Sequence, residues 1–334
     1  MSTPLTMHAQ VLKDYTDGTL HLTSVVKPTA GPGQVLVRVV ASGLNPIDTK
    51  IRAGVAPYAM PELPAILGTD LAGVVELVGE GVSRFKIGDE VYGLTGGVRG
   101  LPGTLAEYSA VDADLLALKP ENLSMREAAA LPLVFLTAWE GLVDRANVQR
   151  GQRVFVQGGA GGVGHVAVQI AIAHGAHVFA TASAQKADIV KAYGATPIDY
   201  RSTTIEQIVS EYADGVGFDL AYDTVGGSSL DDALVSVKPY GHVVSCAAFG
   251  VHNLAAGSLR CVTLSGVFVL LPMLSGNGRA RHGEILEFAT RLAEEGKLKP
   301  LLDEHVYSLE EAQNAHSLVE SGQAVGKVVV NVGS

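Results

Sequence analysis

The residues with the clearest chemical potential form a glycine-rich segment in the middle of the chain, Gly159-x-Gly161-x-x-Gly164. It follows an apolar run and leads into a helical pattern. Glycines at this spacing let the backbone turn sharply and approach a pyrophosphate, while the helix N-terminus offers N–H groups to the phosphates. The segment predicts a dinucleotide-binding turn, with a purely structural turn as the alternative. Its predicted cofactor-binding residues are Gly159, Ala160, Gly161, Gly162, Val163 and Gly164.

The end of the next apolar run indicates which dinucleotide binds. A carboxylate there would hold a ribose 2′-hydroxyl, whereas hydroxyl and cationic groups suit a 2′-phosphate. The sequence has Ser183 and Lys186 at this point, with no acidic residue between them. NADP(H) is therefore favoured, and Tyr200 and Arg201 after the third run form a second contact point. In the alternative interpretation, Ser183 only caps its helix and Lys186 is a solvated charge.

Composition narrows the class of protein. The chain has 334 residues, which suggests about two domains. Its 24 basic and 34 acidic residues give a net charge of −10, so neither nucleic acid nor a membrane is an expected partner. The two cysteines, Cys246 and Cys261, lie in apolar surroundings typical of reduced cytosolic thiols. The N-terminus lacks a basic segment leading into an apolar one, so no secretory signal is expected and a cytoplasmic location is predicted.

The middle of the chain alternates short apolar runs with helical segments. Continuous apolar runs separated by helices are typical of a parallel sheet covered on both faces. Six such runs predict a doubly wound α/β domain. A capping-box pattern at Thr203 to Glu206 opens one of its helices. The predicted strands are residues 153–157, 177–181, 196–198, 218–223, 242–246 and 264–270.

The two ends of the chain have a different pattern. The first 130 residues contain β-branched runs broken by Gly and Pro, which predict a compact β-rich unit. Ser124 and Glu127 have capping-box spacing and open a helix near the domain boundary. Ser308 and Glu311 predict another capped helix, and residues 328–332 a final strand. Because this tail follows a complete six-stranded sheet, we expect it to rejoin the first domain.

Motifs along nearly the whole chain resemble those of the medium-chain dehydrogenase/reductase superfamily, a branch of the alcohol dehydrogenase relatives. The resemblance is to the zinc-free quinone oxidoreductase and zeta-crystallin branch in particular. The matching segments are 43–49 (GLNPIDT), 51–54 (IRAG), 67–73 (LGTDLAG), 103–108 (GTLAEY), 136–138 (LTA), 160–164 (AGGVG), 222–226 (YDTVG) and 326–330 (GKVVV).

The resemblance implies a specific architecture. A GroES-like β-rich catalytic domain would comprise residues 1–130 and 281–334, and a Rossmann domain with a six-stranded parallel sheet would comprise residues 131–280. It also implies a cleft between the two domains and a homodimer. The apolar segment 267–271 is a candidate for pairing across a two-fold axis.

The zinc sites of the better-known relatives are expected to be missing. Zinc-dependent relatives carry a Cys near residues 43–45 and a His followed by Glu after Gly68. This chain has Leu44 and Asn45 at the first place and Thr69 and Asp70 at the second. The ligands of a tetrahedral catalytic zinc are therefore absent, and two cysteines are too few for a four-cysteine lobe.

The resemblance also assigns roles outside the glycine turn. It implies that Asn45 lies on the nicotinamide side of the cleft and Thr137 near the nicotinamide. Phe249 and Gly250 would border the carboxamide, and Lys327 would close over the cofactor. The alternatives are that Thr137 bonds its own helix, Phe249 belongs to the core and Lys327 is a surface charge.

The same resemblance places Asp223 and Thr224 near the adenosine or ribose, although Asp223 is alternatively a helix cap. One departure concerns Lys50, because quinone reductases of this branch often carry Tyr there. An ammonium at this position would orient a carbonyl oxygen or supply a proton, whereas an exposed lysine without a catalytic role is the alternative. Tyr58, from a nearby loop, is a second candidate for the missing hydroxyl.

The activity that these expectations favour is hydride transfer from NADPH to a small electrophile, either a quinone or an α,β-unsaturated carbonyl. Without zinc, alcohol oxidation lacks its usual electrophile, whereas donors near Asn45, Thr69 or Lys50 would assist a conjugated oxygen. The enzymatic alternatives are an acyl-thioester enoyl reductase and a zinc-free alcohol dehydrogenase. A non-catalytic NADPH-binding protein like some zeta-crystallins is the alternative from another class, and the net charge makes RNA association unfavourable.

Overall fold

The computed structural model describes residues 5–333; the first four residues, at the end where no secretory signal is expected, lie outside this range. The chain divides into two compact units. Unit 1 consists of Met1–Leu133, Leu270–Gly296 and Pro300–Ser334, and unit 2 of Val134–Val269 and Lys297–Lys299.

Sixteen strands run through the described residues. They are β1 Thr6–Leu12, β2 Leu20–Val26, β3 Gln34–Gly43, β4 Ala65–Ile66, β5 Asp70–Val78, β6 Glu90–Leu94, β7 Tyr108–Asp112, β8 Leu116–Leu118, β9 Arg153–Gln157, β10 His177–Ala182, β11 Thr196–Asp199, β12 Phe218–Asp223, β13 Val237–Ser245, β14 Thr263–Gly266, β15 Tyr307–Ser308 and β16 Val329–Asn331.

Eleven α-helices accompany these strands in the same part of the chain, and none of them is long and apolar enough to cross a membrane. They are α1 Pro46–Arg52, α2 Met125–Ala129, α3 Pro132–Trp139, α4 Gly162–Ala173, α5 Ala187–Ala192, α6 Ile205–Tyr212, α7 Ser228–Ser236, α8 Ala255–Leu259, α9 Leu271–Ser275, α10 Arg279–Glu294 and α11 Ala312–Ser321.

Unit 2 contains one parallel six-stranded sheet with the order β11-β10-β9-β12-β13-β14. The doubly wound α/β fold class predicted from the sequence is therefore confirmed. The strand order reverses between β9 and β12, which is where open α/β sheets bind their ligands. A core of apolar side chains, including Phe155 and Phe218 with their rings stacked 4.9 Å apart, lies on one face of the sheet.

The last predicted strand is wrong beyond Gly266. Residues 267–270 leave the sheet, and α9 begins at Leu271 with Pro272 in its first turn. Val267, Val269 and Leu270 are buried all the same. An apolar run reports burial and not geometry, so its composition does not distinguish a strand from a buried connection.

Unit 1 is built from antiparallel strands. A seven-stranded sheet has the order β15-β16-β3-β5-β6-β8, with β7 also paired to β3, and a smaller sheet has the order β2-β1-β4. The C-terminal β16 pairs antiparallel with β3, which places Val329 opposite Gly43. This pairing brings the segment that contains Lys327 next to the segment that contains Asn45, although the two are far apart in sequence.

Side-chain caps fix the ends of several helices. The Ser124 and Glu127 capping box opens α2 as predicted, and Ser308 with Glu311 opens the turn that leads into α11. The box of α6 is shifted by one residue from its predicted place, because Thr204 caps the helix and Gln207 reaches back to it. Thr203 and Glu206 fit the same sequence pattern, so the prediction was wrong in register only.

Candidate functional site

The glycine turn of unit 2 joins β9 to α4, and Gly161 is the residue that caps the helix. A Cβ at position 164 would lie 2.0 Å from the Gly158 carbonyl oxygen, and one at position 159 would lie 2.5 Å from Ala180 Cβ. A Cβ at Gly161 would meet only that same carbonyl oxygen, at 3.1 Å. Only glycine fits at positions 159 and 164, because a side chain there would clash with neighbouring atoms. The backbone at Gly161 is open, and a phosphate would approach it there.

Hydrogen bonds hold this turn to its neighbouring strand. The Gly158 N–H donates to Thr181 Oγ1 at 2.9 Å, and the Gly159 N–H donates to the Thr181 carbonyl at 2.8 Å. Gly158 has a φ of +76°, a conformation that a side chain would strain. Because the turn is fixed before any ligand arrives, the N–H groups at the start of α4 are preorganised for an anion.

Asp223 closes the turn that follows β12. Its Oδ1 accepts the N–H groups of Val225 and Gly226 at 3.0 and 2.8 Å, and its Oδ2 accepts the Ser245 hydroxyl at 2.6 Å. Asp223 is fully buried, so its carboxylate fixes the strand ends and serves a ligand only through the loop that it shapes. Thr224 Oγ1 donates to the Gln157 carbonyl at 2.6 Å and links this loop to the end of β9.

The two residues predicted to bind a 2′-phosphate lie directly after β10. Ser183 precedes a short 3-10 turn without a capping hydrogen bond from its hydroxyl, so the alternative role as a helix cap is not the one that the structure gives it. Lys186 is half-buried, and no carboxylate of the described residues lies within ion-pair distance of it.

Tyr200 and Arg201 reach the same edge of the sheet. Ala182 at the end of β10 is in register with Asp199 at the end of β11. The residues that follow the two strands therefore emerge side by side. The Arg201 guanidinium lies 5.6 Å from the centre of the Tyr200 ring, which is 54% exposed. A cation, an aromatic ring and a hydroxyl thus lie near the end of β10, where the sequence lacks the carboxylate expected for NAD(H).

The remaining residues of unit 2 differ in exposure. Thr137 is buried, and its carbonyl accepts the Tyr222 hydroxyl at 2.6 Å. Phe249 is 63% exposed in the loop after β13, so the alternative interpretation of this ring as a core residue is wrong. Gly250 has a φ of +127°, a conformation essentially confined to glycine.

Sequence reasoning missed Gln157, the last residue of β9. It is 5% exposed, and its Oε1 has no hydrogen-bond partner among the described residues. A buried amide oxygen without a donor is uncommon, and one beside an open glycine turn fits a ligand that supplies the donor. Its signal in the sequence is a polar residue that ends an otherwise apolar strand immediately before the glycines. The cradle and this orphaned oxygen together fit a bound dinucleotide.

In unit 1, Asn45, Thr69, Asp70 and Lys327 form one fully buried polar cluster. The Asn45 amide nitrogen donates to Thr69 Oγ1 at 3.0 Å and to Asp70 Oδ2 at 2.8 Å. The Lys327 ammonium donates to the Asn45 amide oxygen and to the Leu44 carbonyl, the latter at 2.7 Å. The polar groups of Asn45 are thus all engaged by protein, and Lys327 is a buried charge, not the surface charge of the alternative interpretation.

Asp48 completes this cluster from α1 and was not predicted as part of the site. Its Oδ2 accepts the Asn45 N–H at 2.8 Å and the Thr69 hydroxyl at 3.2 Å. The spacing of Asn45 and Asp48 is that of a capping box, which is the signal that would have found it. Burial raises the pKa of the Asp48 and Asp70 carboxyls and lowers the pKa of the Lys327 ammonium. One proton on the two carboxyls makes the cluster neutral beside its ammonium.

The two other candidates of unit 1 lie near this cluster in the chain but are more exposed. Lys50 is an exposed residue of α1, two positions beyond Asp48. Tyr58 is half-buried in the following loop, and its carbonyl accepts the Arg99 Nε–H at 2.9 Å. Lys50 therefore remains the better placed of the two to meet a ligand from solvent.

Two family models match most of the chain. One, described as an alcohol dehydrogenase GroES-like domain, matches residues 31–121. The other, described as a zinc-binding dehydrogenase, matches residues 193–330. A relative from Arabidopsis thaliana named NADPH-dependent alkenal/one oxidoreductase, chloroplastic, is 36% identical over 98% of this chain and 80% of its own length.

The chain belongs to the medium-chain dehydrogenase/reductase superfamily. Within this superfamily it lies in the quinone oxidoreductase-like branch, since a chloroplast envelope quinone oxidoreductase homolog of Arabidopsis thaliana is 32% identical over 97% of this chain and 98% of its own length. A solved alcohol dehydrogenase superfamily protein from Novosphingobium aromaticivorans has a TM-score of 0.95 and 52% identity, covering 98% of this chain and all of its own. The protein is an oxidoreductase with the GroES-like and Rossmann domains of the superfamily.

Membership in the superfamily allows the buried cluster of unit 1 to be compared with the zinc site of zinc-dependent relatives. The resemblance to zinc-dependent relatives implies metal ligands near residues 43–45 and after Gly68, where this chain has Asn45 and Thr69. Among the described residues, no group of three or more His, Cys, Asp or Glu side chains is arranged to hold a metal ion. Asn45 and Thr69 are hydrogen-bonded to each other, and Lys327 adds an ammonium to the cluster.

Proposed function

We propose that the protein transfers a hydride from NADPH to a quinone or an α,β-unsaturated carbonyl compound, without zinc. The cofactor assignment rests on the open glycine turn between β9 and α4, where the strand order of the unit 2 sheet reverses. Ser183 and Lys186 follow the neighbouring strand β10. The acceptor class rests on the names of the relatives, which include an NADPH-dependent alkenal/one oxidoreductase and a quinone oxidoreductase homolog. The proposal without zinc rests on the side chains at positions 44, 45, 69 and 70.

Each part of the chain contributes a distinct role to this reaction. When bound, the dinucleotide supplies the hydride from its nicotinamide. The N–H groups of Gly162 and Val163, at the start of α4, would hold the pyrophosphate, and Ser183 and Lys186 the 2′-phosphate. In unit 1, the buried cluster holds α1 in place, and this helix presents Lys50 as a donor for the carbonyl oxygen of the acceptor. Thr137, Phe249 and Gly250 remain candidates for the nicotinamide end.

A panel of matched acceptors tests this function. We expect NADPH oxidation with methyl vinyl ketone and with benzoquinone, and none with butanone, which is the product of the first reaction and lacks only the conjugated bond. Dominant turnover of an enoyl thioester would replace the proposal with an acyl-thioester reductase, and turnover limited to alcohols with NADP⁺ would indicate a zinc-free alcohol dehydrogenase. NADPH binding without turnover of any acceptor would indicate a non-catalytic protein.

The 2′-phosphate assignment has its own matched pair of variants. Lys186→Glu should raise the KM for NADPH about tenfold or more and leave the KM for NADH nearly unchanged, because only NADPH carries the phosphate that the ammonium would bind. Lys191→Glu is the control, since Lys191 is exposed and pairs with Asp188 one turn away. Equal effects of Lys186→Glu on both cofactors would contradict the assignment.

We propose further that the protein is a homodimer joined through β14, and not through the predicted segment 267–271, because residues 267–270 have left the sheet. This strand ends the sheet of unit 2, and an exposed sheet edge is commonly covered by a partner. Leu259, shortly before this strand, and Leu264, within it, are 88% and 40% exposed. Leu264→Lys should give a monomer in light scattering, whereas Leu77→Lys, at a 44% exposed leucine of unit 1, should not. A wild-type monomer would refute the dimer directly.

A cytoplasmic location is the last part of the proposal. It is supported by the state of the thiols, since Cys246 and Cys261 are both free. Burial raises the pKa of Cys246 to about 12, which keeps that thiol protonated and unreactive. Cell fractionation should place the protein with cytosolic markers, and recovery in an organelle or an oxidised compartment would contradict the location.

A further inference from the structure

A groove in unit 1, which we call the proline groove, is lined by residues that have been given no role so far. It is formed by the loop 57–66 and the loop 99–102 and has a volume of about 770 Å³. Its apolar lining includes Pro57, Met60, Pro61, Ile66 and Leu101. This volume is within the range of small-molecule sites, which combine apolar walls with a few placed polar groups.

Arg99 is the cation of this groove and is held in an unusual backbone conformation. Its φ is +43°, in the left-handed region, although glycines stand at positions 97 and 100. Its N–H donates to the Ala59 carbonyl and its Nε–H to the Tyr58 carbonyl, both at 2.9 Å. A non-glycine residue in this region costs on the order of 1 kcal/mol, and such strain is commonly found at ligand sites.

The outer edge of the Arg99 guanidinium is open to a ligand. No carboxylate of the described residues lies within ion-pair distance of Arg99, whereas Arg52 and Arg279 are each paired with one. A guanidinium with its Nε fixed still presents two terminal nitrogens in one plane, which matches a carboxylate. Glu62 also lines the groove and is not paired with Arg99. Its charge disfavours dianions, so the groove fits a ligand with a single negative charge and an apolar chain.

The loop that carries Arg99 packs against the backbone beside the buried cluster of unit 1. The Thr95 N–H donates to the Thr69 carbonyl at 2.8 Å. A Cβ at Gly97 would lie 2.5 Å from the Gly68 carbonyl oxygen, so the loop packs directly on the backbone beside Thr69. A molecule in the groove therefore contacts a loop that rests on the segment of the buried cluster.

We propose that the proline groove binds the carboxylate end of an amphipathic acceptor, an enone or enal whose apolar chain ends in a single carboxylate. The guanidinium of Arg99 binds the carboxylate, and Met60, Ile66 and Leu101 contact the chain. This assignment rests on the proposed enone reductase function and names its substrate class.

Kinetics with two acceptors that differ only in charge test the proposal. The pair is an enone with a terminal carboxylate on its alkyl chain and the methyl ester of the same acid. Arg99→Asn should raise the KM for the acid about tenfold, leave its kcat nearly unchanged and leave the ester unaffected; asparagine tolerates the left-handed conformation, so the loop is preserved. Glu62→Gln should lower the KM for the acid. The control is Arg84→Asn, since Arg84 pairs with Glu287 away from the groove.

A binding measurement separates the groove from the enzymatic function. The chain has five methionines, so methyl-labelled methionine gives a simple NMR spectrum in which Met60→Leu assigns the groove signal. Decanoate, which is saturated and cannot be reduced, should shift the Met60 signal in the absence of NADPH and leave the buried Met273 unchanged. Arg99→Asn should abolish this shift.

The two experiments have distinct failures. A Met60 shift without turnover of any enone would retain the groove and refute the proposed function. Turnover of methyl vinyl ketone without a Met60 shift, or with equal effects of Arg99→Asn on acid and ester, would refute the groove and retain the function.

Discussion

The ammonium of Lys327 is buried in unit 1, where it contacts the Asn45 amide oxygen, the Leu44 carbonyl and, at 3.8 Å, the Asp70 carboxylate. A buried charge is tolerated only where hydrogen bonds and opposite charges replace water. These contacts account for the position of Lys327 within unit 1 without any ligand. We therefore expect these contacts of Lys327 to stabilise the fold, whether or not Lys327 also binds the cofactor.

Replacing this ammonium tests the structural role. Lys327→Met leaves the Asn45 amide oxygen without its donor and the Asp70 carboxylate without its counter-ion, so the free energy of unfolding should fall by about 3–5 kcal/mol. Lys327→Met combined with Asp70→Asn should recover part of this loss, because the uncompensated charge is then gone. Urea denaturation of the wild type, of each single variant, Lys327→Met and Asp70→Asn, and of the double variant measures both effects. Unchanged stability together with weaker NADPH binding would instead support the role at the cofactor that the resemblance implies.

At the scale of single residues, a sequence pattern identifies the chemistry of a binding site more readily than it identifies which residues contact one another in the fold. The residue types around Ser183 and Lys186 predict a 2′-phosphate site because hydroxyl and cationic side chains are the groups that bind a phosphate. The bond between Lys327 and Asn45 joins residues 282 positions apart, and it depends on the pairing of β16 with β3. No local pattern contains that pairing, so the burial of Lys327 was not predictable from its neighbours in sequence.

Among the elements, the β9–turn–α4 unit was the most predictable part of the chain. Steric demands fix its glycines locally, and the structure has the predicted strand, turn and helix in order. The end of β14 was less predictable, since residues 267–270 are as apolar as a strand and are buried for another reason. The sequence therefore predicts a turn that requires glycine more reliably than it predicts the residue at which a buried segment leaves a sheet.

Two glycine variants separate the two functions of this turn. Gly161→Ala introduces a Cβ that meets only the Gly158 carbonyl oxygen, at 3.1 Å, so the fold should survive while the affinity for NADPH falls about tenfold or more. Gly164→Ala places a Cβ 2.0 Å from that same oxygen, so the turn itself must shift and the melting temperature should fall. Thermal unfolding and fluorescence titration with NADPH measure both. An unchanged affinity in a folded Gly161→Ala protein would contradict the cradle.

For the molecule as a whole, buried titratable groups link folding to pH in opposing directions. Burial lowers the pKa of His282 to about 4 and of His316 to about 3. An unfolded histidine has a pKa of about 6.5, so below that pH the unfolded chain binds protons that the native protein does not, and acid destabilises the fold. The raised pKa of Asp48 and Asp70 acts oppositely, because the native carboxyls hold protons that the unfolded ones lose above about pH 4.

His316 offers the sharpest test of this balance, because neither of its ring nitrogens has a hydrogen-bond partner among the described residues. At pH 5, about 1.5 units below the unfolded pKa, its cost is about 2 kcal/mol. His316→Leu should therefore reduce the loss of unfolding free energy between pH 7 and pH 5 by that amount, and the exposed His21→Leu should not. Asp48→Asn should increase the same loss, since it removes a proton that only the native state retains. If wild type and His316→Leu lost the same unfolding free energy between pH 7 and pH 5, this account of acid destabilisation would be refuted.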